Sequence, residues 1–134
     1  VSLSEDEFFA SSGVRSSVEA ARNALSDKIQ YLTEFLGGEY EIQGAYPAWE
    51  YRKESPLRDK MVEVYETMYG QKPEVVAIHA GLECGLFYKK IDGLDCVSLG
   101  PDMKDIHTSE EVLDIASTER VWKYLVKVLE ELKD

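Results

Sequence analysis

Hydrophobic and polar positions along the chain follow two rhythms, one of period two and one of period three to four. Residues 6–15, DEFFASSGVR, carry the first: Phe8, Ala10, Ser12 and Val14 share one face, and Phe9, Ser11, Gly13 and Arg15 share the other, which predicts a strand ending at Arg15. Ser16-Ser17-Val18-Glu19 has capping-box spacing, in which Ser16 caps a first helical turn and Glu19 reaches back to it. Val18, Ala21, Leu25, Ile29, Leu32 and Phe35/Leu36 then recur every three or four residues, the stripe of a long amphipathic helix. Gly37-Gly38 closes that helix, because glycine takes the left-handed conformation at little cost. Glu39–Ala45 alternates again, with Tyr40 and Ile42 on one face, and predicts a second strand. A crossover of this length suits parallel pairing through a right-handed connection.

The rhythm breaks at residues 46–54, YPAWEYRKE, which read as a linker between two structural pieces. Ser55-Pro56 opens another helix, with Ser55 as cap and Pro56 at its first position. Its stripe is Leu57, Met61, Val64/Tyr65 and Met68, and Gly70 stops it. Glu74–His79, EVVAIH, predicts a short strand buried on both faces. Residues 81–87 begin with a glycine turn and predict a short helix or loop. Asp95–Leu99 predicts another strand, closed by Gly100-Pro101, and Asp102–Ala116 is irregular and polar. Ser117 or Thr118 caps a last helix with the stripe Val121, Trp122, Leu125, Val128/Leu129 and Leu132. Strands alternating with helices make the predicted class α/β.

Composition narrows the function classes. A chain of 134 residues with 44% hydrophobic positions can bury a core, and 31% charged positions mark a solvated surface. No apolar run approaches the ~20 residues that span a bilayer. A net charge of −11 argues against nucleic acid and against an anionic membrane surface, since both are held by Lys and Arg. The start, VSLSEDEFFA, lacks both a signal-peptide layout and an initiator methionine, which fits a piece of a longer chain. Cys84 and Cys96 are too few for a disulfide framework and read as reduced, small apolar groups in a cytoplasmic protein.

The chemistry-bearing residues concentrate between Val75 and Glu111, which holds both histidines and both cysteines. In a doubly wound sheet, ligands collect beyond the carboxyl ends of strands, where His79 and the loop reaching His107 would lie. Pattern alone leaves each histidine as a hydrogen-bonded structural residue and Arg15 as a solvated charge. There is no H-E-x-x-H, no His-x-Asp, no G-x-S-x-G and no Walker loop. Glu110-Glu111, as consecutive acidic residues, suits a helix start rather than a catalytic pair.

Longer motifs say more. AIHAGLECGLF, then the SLGP strand end, then KDIHTSEE closely resemble the C-terminal part of the aminoacyl-histidine dipeptidases, also called cytosol non-specific dipeptidases. These lie in the carnosinase-like branch of co-catalytic zinc metallopeptidases. The similarity extends to SSGVRSS, the long helix, Tyr46-Pro47 with Trp49, and the run from Tyr69 to Pro73, so it spans nearly the whole chain. The resemblance implies a two-zinc hydrolase with a catalytic α/β domain and a smaller lid, in which metal-activated water attacks the peptide carbonyl of dipeptides, Xaa-His among them. It further implies that His107 is a zinc ligand, that Glu83 meets the substrate amino group, and that Arg15 binds the substrate carboxylate. Glu111 is implied as a supporting group behind the metal ligand.

The sequence departs from the family where it matters most. The His-x-Asp ligand pair, the bridging aspartate and the Glu-Glu base of such enzymes are not found: His79 is followed by Ala-Gly and His107 by Thr-Ser. The expectation is therefore a C-terminal fragment. Residues 1–48 would form the second half of the lid and residues 49–134 the C-terminal part of the catalytic domain. One histidine does not hold a catalytic zinc, which takes about three protein ligands, so the fragment alone is expected to be inactive and to bind no stoichiometric zinc. Its expected partners are dipeptide substrates, the missing N-terminal part of the enzyme, and a second copy paired through exposed edges. The rival reading is a stand-alone, non-catalytic binding or dimerisation module of the same fold. A third, a small oxidoreductase using Cys84 and Cys96, lacks redox spacing between the two thiols.

Overall fold

The computed structural model describes residues 1–78 and 83–133. It contains four helices and four very short strands in the order β1 (Ser2–Leu3), β2 (Phe8–Phe9), α1 (Glu19–Phe35), α2 (Pro56–Tyr69), α3 (Glu83–Lys90), β3 (Met103–Lys104), β4 (Val112–Leu113) and α4 (Ile115–Glu131) among the described residues. The chain packs as two compact units, one of Val1–Tyr51 with Ala77–Lys90 and one of Arg52–Val76 with Ile91–Asp134.

In the first unit, β1 and β2 form an antiparallel hairpin with Ser2 opposite Phe9 and Leu3 opposite Phe8. The predicted strand over residues 6–15 is thus reduced to Phe8–Phe9, and residues 39–45 form no strand. A strand persists where a neighbour takes up its backbone N–H and C=O groups, and these segments have no such neighbour among the described residues. The helix between them forms over Glu19–Phe35, but its apolar stripe is not buried: Leu32 is 60% and Phe35 86% exposed.

The start of α1 also differs from the predicted capping box. Val18 is the cap residue and offers no side-chain hydrogen bond. Ser16 Oγ instead accepts from the Val18 N–H at 3.0 Å, and the Glu19 N–H donates to Glu50 Oε1 at 3.1 Å. An acid distant in sequence thereby does the job expected of Ser16, in the position where the helix dipole favours negative charge. The far end follows expectation. Gly37 takes φ +82°, and the Gly38 N–H returns to the Thr33 carbonyl at 2.9 Å.

In the second unit, α2 forms as the sequence predicts. Ser55 Oγ accepts from the Arg58 N–H at 3.1 Å, Pro56 occupies the first turn, and Gly70 ends the helix at φ +71°. Asp95 adds a restraint from outside the helix: its carboxylate accepts from Ser55 Oγ at 2.7 Å and from the Leu57 N–H at 2.9 Å. The segment predicted as the strand 95–99 therefore serves as a tether on α2, with no strand structure of its own.

Helices α2 and α4 pack on each other around Met61, Val64, Tyr124 and Val128. The Tyr124 hydroxyl donates to the Met61 carbonyl at 2.7 Å, which satisfies a buried polar group, and its ring meets Tyr65 edge-on at 5.3 Å. The predicted α4 stripe is rotated by this packing. Tyr124 and Val128 are buried, whereas Trp122 is 66% and Leu129 55% exposed. The cap is Asp114, not Ser117 or Thr118: Asp114 Oδ1 accepts from the Ser117 N–H at 2.6 Å. Ser117 is buried and accepts from the Asp102 N–H at 2.8 Å, tying the helix start to the residue that precedes β3.

The predicted strand EVVAIH is likewise absent over residues 74–78, where Val76 is 63% exposed; His79 at its end lies outside the described residues. Both strand pairs among the described residues are antiparallel, so the parallel pairing expected from the crossover is not formed there.

Candidate functional site

His107 is carried by the second unit at the tip of a hairpin. β3 and β4 pair antiparallel, with Met103 opposite Leu113 and Lys104 opposite Val112, and the loop 105–111 joins them. Below the pair, the Asp114 N–H donates to the Asp102 carbonyl at 3.0 Å, so the hairpin base is continuous with the capped start of α4. Segment 102–116, irregular by sequence, is therefore a tethered platform. Short apolar strands hidden in a polar stretch leave little periodic signal, and Val112-Leu113 was the one local clue.

Inside the loop the backbone is sharply specified. Asp105 and His107 both have positive φ, +51° and +67°, a region that Asp and His enter more readily than most residues. Thr108 closes the turn, donating from Oγ1 to the Asp105 carbonyl at 2.6 Å and accepting from the Glu110 N–H at 3.2 Å. The His107 N–H donates to Glu111 Oε2 at 2.7 Å. The imidazole itself is exposed and has no hydrogen-bond partner among the described residues, so both ring nitrogens are open to a ligand.

Glu83 and Arg15 belong to the first unit. Glu83 begins α3, where a carboxylate suits the positive end of the helix, and Lys89 and Lys90 suit its other end. Gly85 lets this helix sit against the segment predicted as a linker: a Cβ there would lie 3.0 Å from the Pro47 carbonyl oxygen and 3.5 Å from Trp49 Cβ. Lys89 Nζ adds an ion pair to Glu19 Oε1 at 3.3 Å, joining α3 to the first turn of α1. Arg22 secures the same segment by donating to the Tyr46 carbonyl. Residues 46–50 are thus a docking ledge for two helices. Their aromatic and proline content hid that role, because packing of this kind has no period.

Arg15 is exposed in the extended stretch before α1, and neither it nor Glu83 has a hydrogen-bond or ion-pair partner among the described residues. The structure places Arg15 and Glu83 in one unit and His107 with Glu111 in the other. Of the four, it brings Glu111 and His107 together.

The described residues do not fit a zinc ion by themselves. No three His, Cys, Asp or Glu side chains among them gather around a common point, and a catalytic zinc takes about three protein ligands and a water. His107 offers one. Cys84 and Cys96 are half-buried thiols on different units. No helix among the described residues is long and apolar enough to cross a membrane.

No protein-family model matches the chain. It is 33% identical over 119 residues to the cytosol non-specific dipeptidase of Escherichia coli (strain K12), covering 89% of this chain and 24% of that protein. The crystal structure of the aminoacylhistidine dipeptidase from Vibrio alginolyticus superimposes with a TM-score of 0.72 at 34% identity, over 89% of this chain and 24% of that one. The chain thus spans about a quarter of the length of the relatives it matches. Its mixed helix and strand trace matches part of that α/β structure, and about three quarters of the relatives' length has no counterpart here. The chain is a homologue of the aminoacylhistidine, or cytosol non-specific, dipeptidases over a region corresponding to their C-terminal part.

Proposed function

We propose that these residues serve a zinc dipeptidase as its C-terminal part, contributing one metal ligand and two substrate-binding side chains to a site completed by polypeptide outside this sequence. The observation that carries the reading is 33% identity over 119 residues to a peptide hydrolase about four times as long. In this reading His107 binds zinc through its exposed, unengaged imidazole. Glu83 takes the free amino group of a dipeptide and Arg15 its carboxylate, two charge-assisted contacts at opposite ends of the substrate. Arg15 and Glu83 lie on the same unit, which supports their working as a pair. Residues 1–48 belong to the lid and residues 49–134 to the catalytic domain. The compact units change between Tyr51 and Arg52, near this boundary, while Ala77–Lys90, with Glu83, packs in the first unit with the proposed lid residues. The name of the E. coli relative supports a cytoplasmic location.

Alone, these residues bind no stoichiometric zinc and hydrolyse no dipeptide. The test is metal analysis and Xaa-His hydrolysis with the purified chain, beside the complete dipeptidase carrying His107→Ala. We expect no turnover from the chain and loss of zinc from the variant enzyme. Clear hydrolysis by the chain, or a full zinc complement in the His107→Ala enzyme, overturns the reading.

Copies of the isolated chain pair through exposed apolar faces, such as Leu32 and Phe35 on α1 and Trp122 on α4, the last 66% exposed. Sedimentation velocity over a concentration series reads this directly, and a monomer at every concentration refutes it. A gene encoding this stretch alone, with its own start codon, would favour the rival reading of a non-catalytic module.

A further inference from the structure

We propose that Glu111 is a positioning residue for His107, holding the histidine in its left-handed conformation by accepting its backbone N–H. This rests on the reading of His107 as a metal ligand, and it names the group that prepares that ligand before any metal arrives. The contact is short, 2.7 Å from the His107 nitrogen to Glu111 Oε2, and the donor residue sits at φ +67°. A side-chain-bearing residue pays a steric penalty there, so something in the fold has to favour the conformation.

The other loop bonds shape the turn around His107 without engaging its own N–H. Those from Thr108, Glu110 and Glu111 close the turn through the Asp105 carbonyl and the Thr108 hydroxyl and carbonyl. The Thr108 N–H bond to the Asp105 carbonyl brackets His107 as the third residue of a four-residue turn, where positive φ is accommodated, but none of them reaches His107's own N–H. The Glu111 carboxylate is the acceptor that does, and its own backbone is well fixed. The Glu111 N–H donates to the Thr108 carbonyl at 3.3 Å, and the next residue, Val112, is paired with Lys104 across the hairpin. The clamp therefore runs from the hairpin, through one carboxylate, to the backbone of the residue at the tip. A charged acceptor makes this a stronger bond than water or a neutral group would supply.

Neighbouring Glu110 provides the control, since its side chain makes no hydrogen bond to His107 among the described residues. The experiment is amide hydrogen exchange with the HN–Hα coupling of His107, measured by NMR on the metal-free chain. Wild type is compared with Glu111→Ala, Glu111→Gln and Glu110→Ala. We expect Glu111→Ala to speed exchange of the His107 amide at least tenfold and to move its coupling away from the left-handed value. The Thr108 amide and the amides of α2 and α4 should be unchanged. Glu111→Gln keeps an acceptor and should restore most of the protection, and Glu110→Ala should behave as wild type.

Unchanged His107 exchange in Glu111→Ala overturns the proposal. So does a loss that Glu110→Ala reproduces. If Glu111→Ala unfolds the hairpin, the Glu111→Gln chain decides: His107 protection no better than in an unfolded loop refutes the clamp. The ligand reading fails separately, through retained zinc in the His107→Ala enzyme, and that result leaves the exchange data standing.

Discussion

Replacing Asp95 with asparagine isolates one of the few long-range polar restraints in the second unit. The carboxylate accepts from Ser55 Oγ at 2.7 Å and from the Leu57 N–H at 2.9 Å, joining the cap and first turn of α2 to a segment about forty residues later in the chain. An amide of the same shape keeps one acceptor oxygen but turns an NH2 group toward the second donor. One charge-assisted hydrogen bond is lost, and such bonds contribute about 1.5–3 kcal/mol. Loss of negative charge at the helix N-terminus adds about 0.3–1 kcal/mol. Asp95 is half-buried, so solvent recovers part of this, and the expected net cost at pH 7 is about 2 kcal/mol, or roughly 30-fold in the folding equilibrium.

Acid should remove that difference. Burial opposes ionisation of Asp95, but its hydrogen bonds from Ser55 and Leu57 and the charges of Arg52 and Arg58 together outweigh it and hold the carboxyl below its ordinary 3.8. A group with a lowered folded pKa stabilises fully above its unfolded value and loses that contribution as pH falls through the folded one. The gap between wild type and Asp95→Asn should therefore be constant above about pH 5 and should narrow below 3.8. Guanidinium titration followed by tryptophan fluorescence measures it, as a shift in midpoint at unchanged slope. A cost below about 0.5 kcal/mol at pH 7 would refute the argument, since a charge-assisted bond contributes more than that. A gap that ignores acid would refute the assignment to the ionised carboxylate.

Two further expectations concern packing. Met61→Ala removes a core side chain that is 7% exposed and lies between α2 and α4, so it should cost about 2–4 kcal/mol in thermal or chemical denaturation; a loss under 1 kcal/mol would mean that the two helices collapse freely onto the gap. Gly85→Ala places a methyl 3.0 Å from the Pro47 carbonyl oxygen, which is backbone and yields little. Overpacking of about 1–3 kcal/mol should outweigh the ~1 kcal/mol that alanine adds to a helix. Amide exchange in α3 should quicken accordingly, and slower exchange would show that the ledge gives way.

Local chemistry carried much of this protein. Ser55, Pro56 and Gly70 bound α2 because cap, first-turn and terminator residues act through their own backbone neighbours, and Gly37 ends α1 for the same reason. The motifs around Glu83 and His107 pointed to a dipeptidase relative because they are sequence features in themselves, and the comparisons agree. What the sequence could not decide was every outcome that depends on a distant partner. The segments predicted as strands at 6–15, 39–45 and 74–79 become strands only where other strands meet their hydrogen-bonding edges, and neither alternation nor an apolar run records whether those are present. The same holds for the polar anchors. Glu50 at the start of α1, Asp95 at the start of α2 and the rotation of α4 that buries Tyr124 while exposing Trp122 are choices made between segments. At the candidate site the division is equally clear. His107 and Glu111 were singled out by the dipeptidase resemblance and not by spacing, and that the carboxylate meets the histidine's backbone N–H, rather than its ring, follows from the hairpin that turns the chain back on itself.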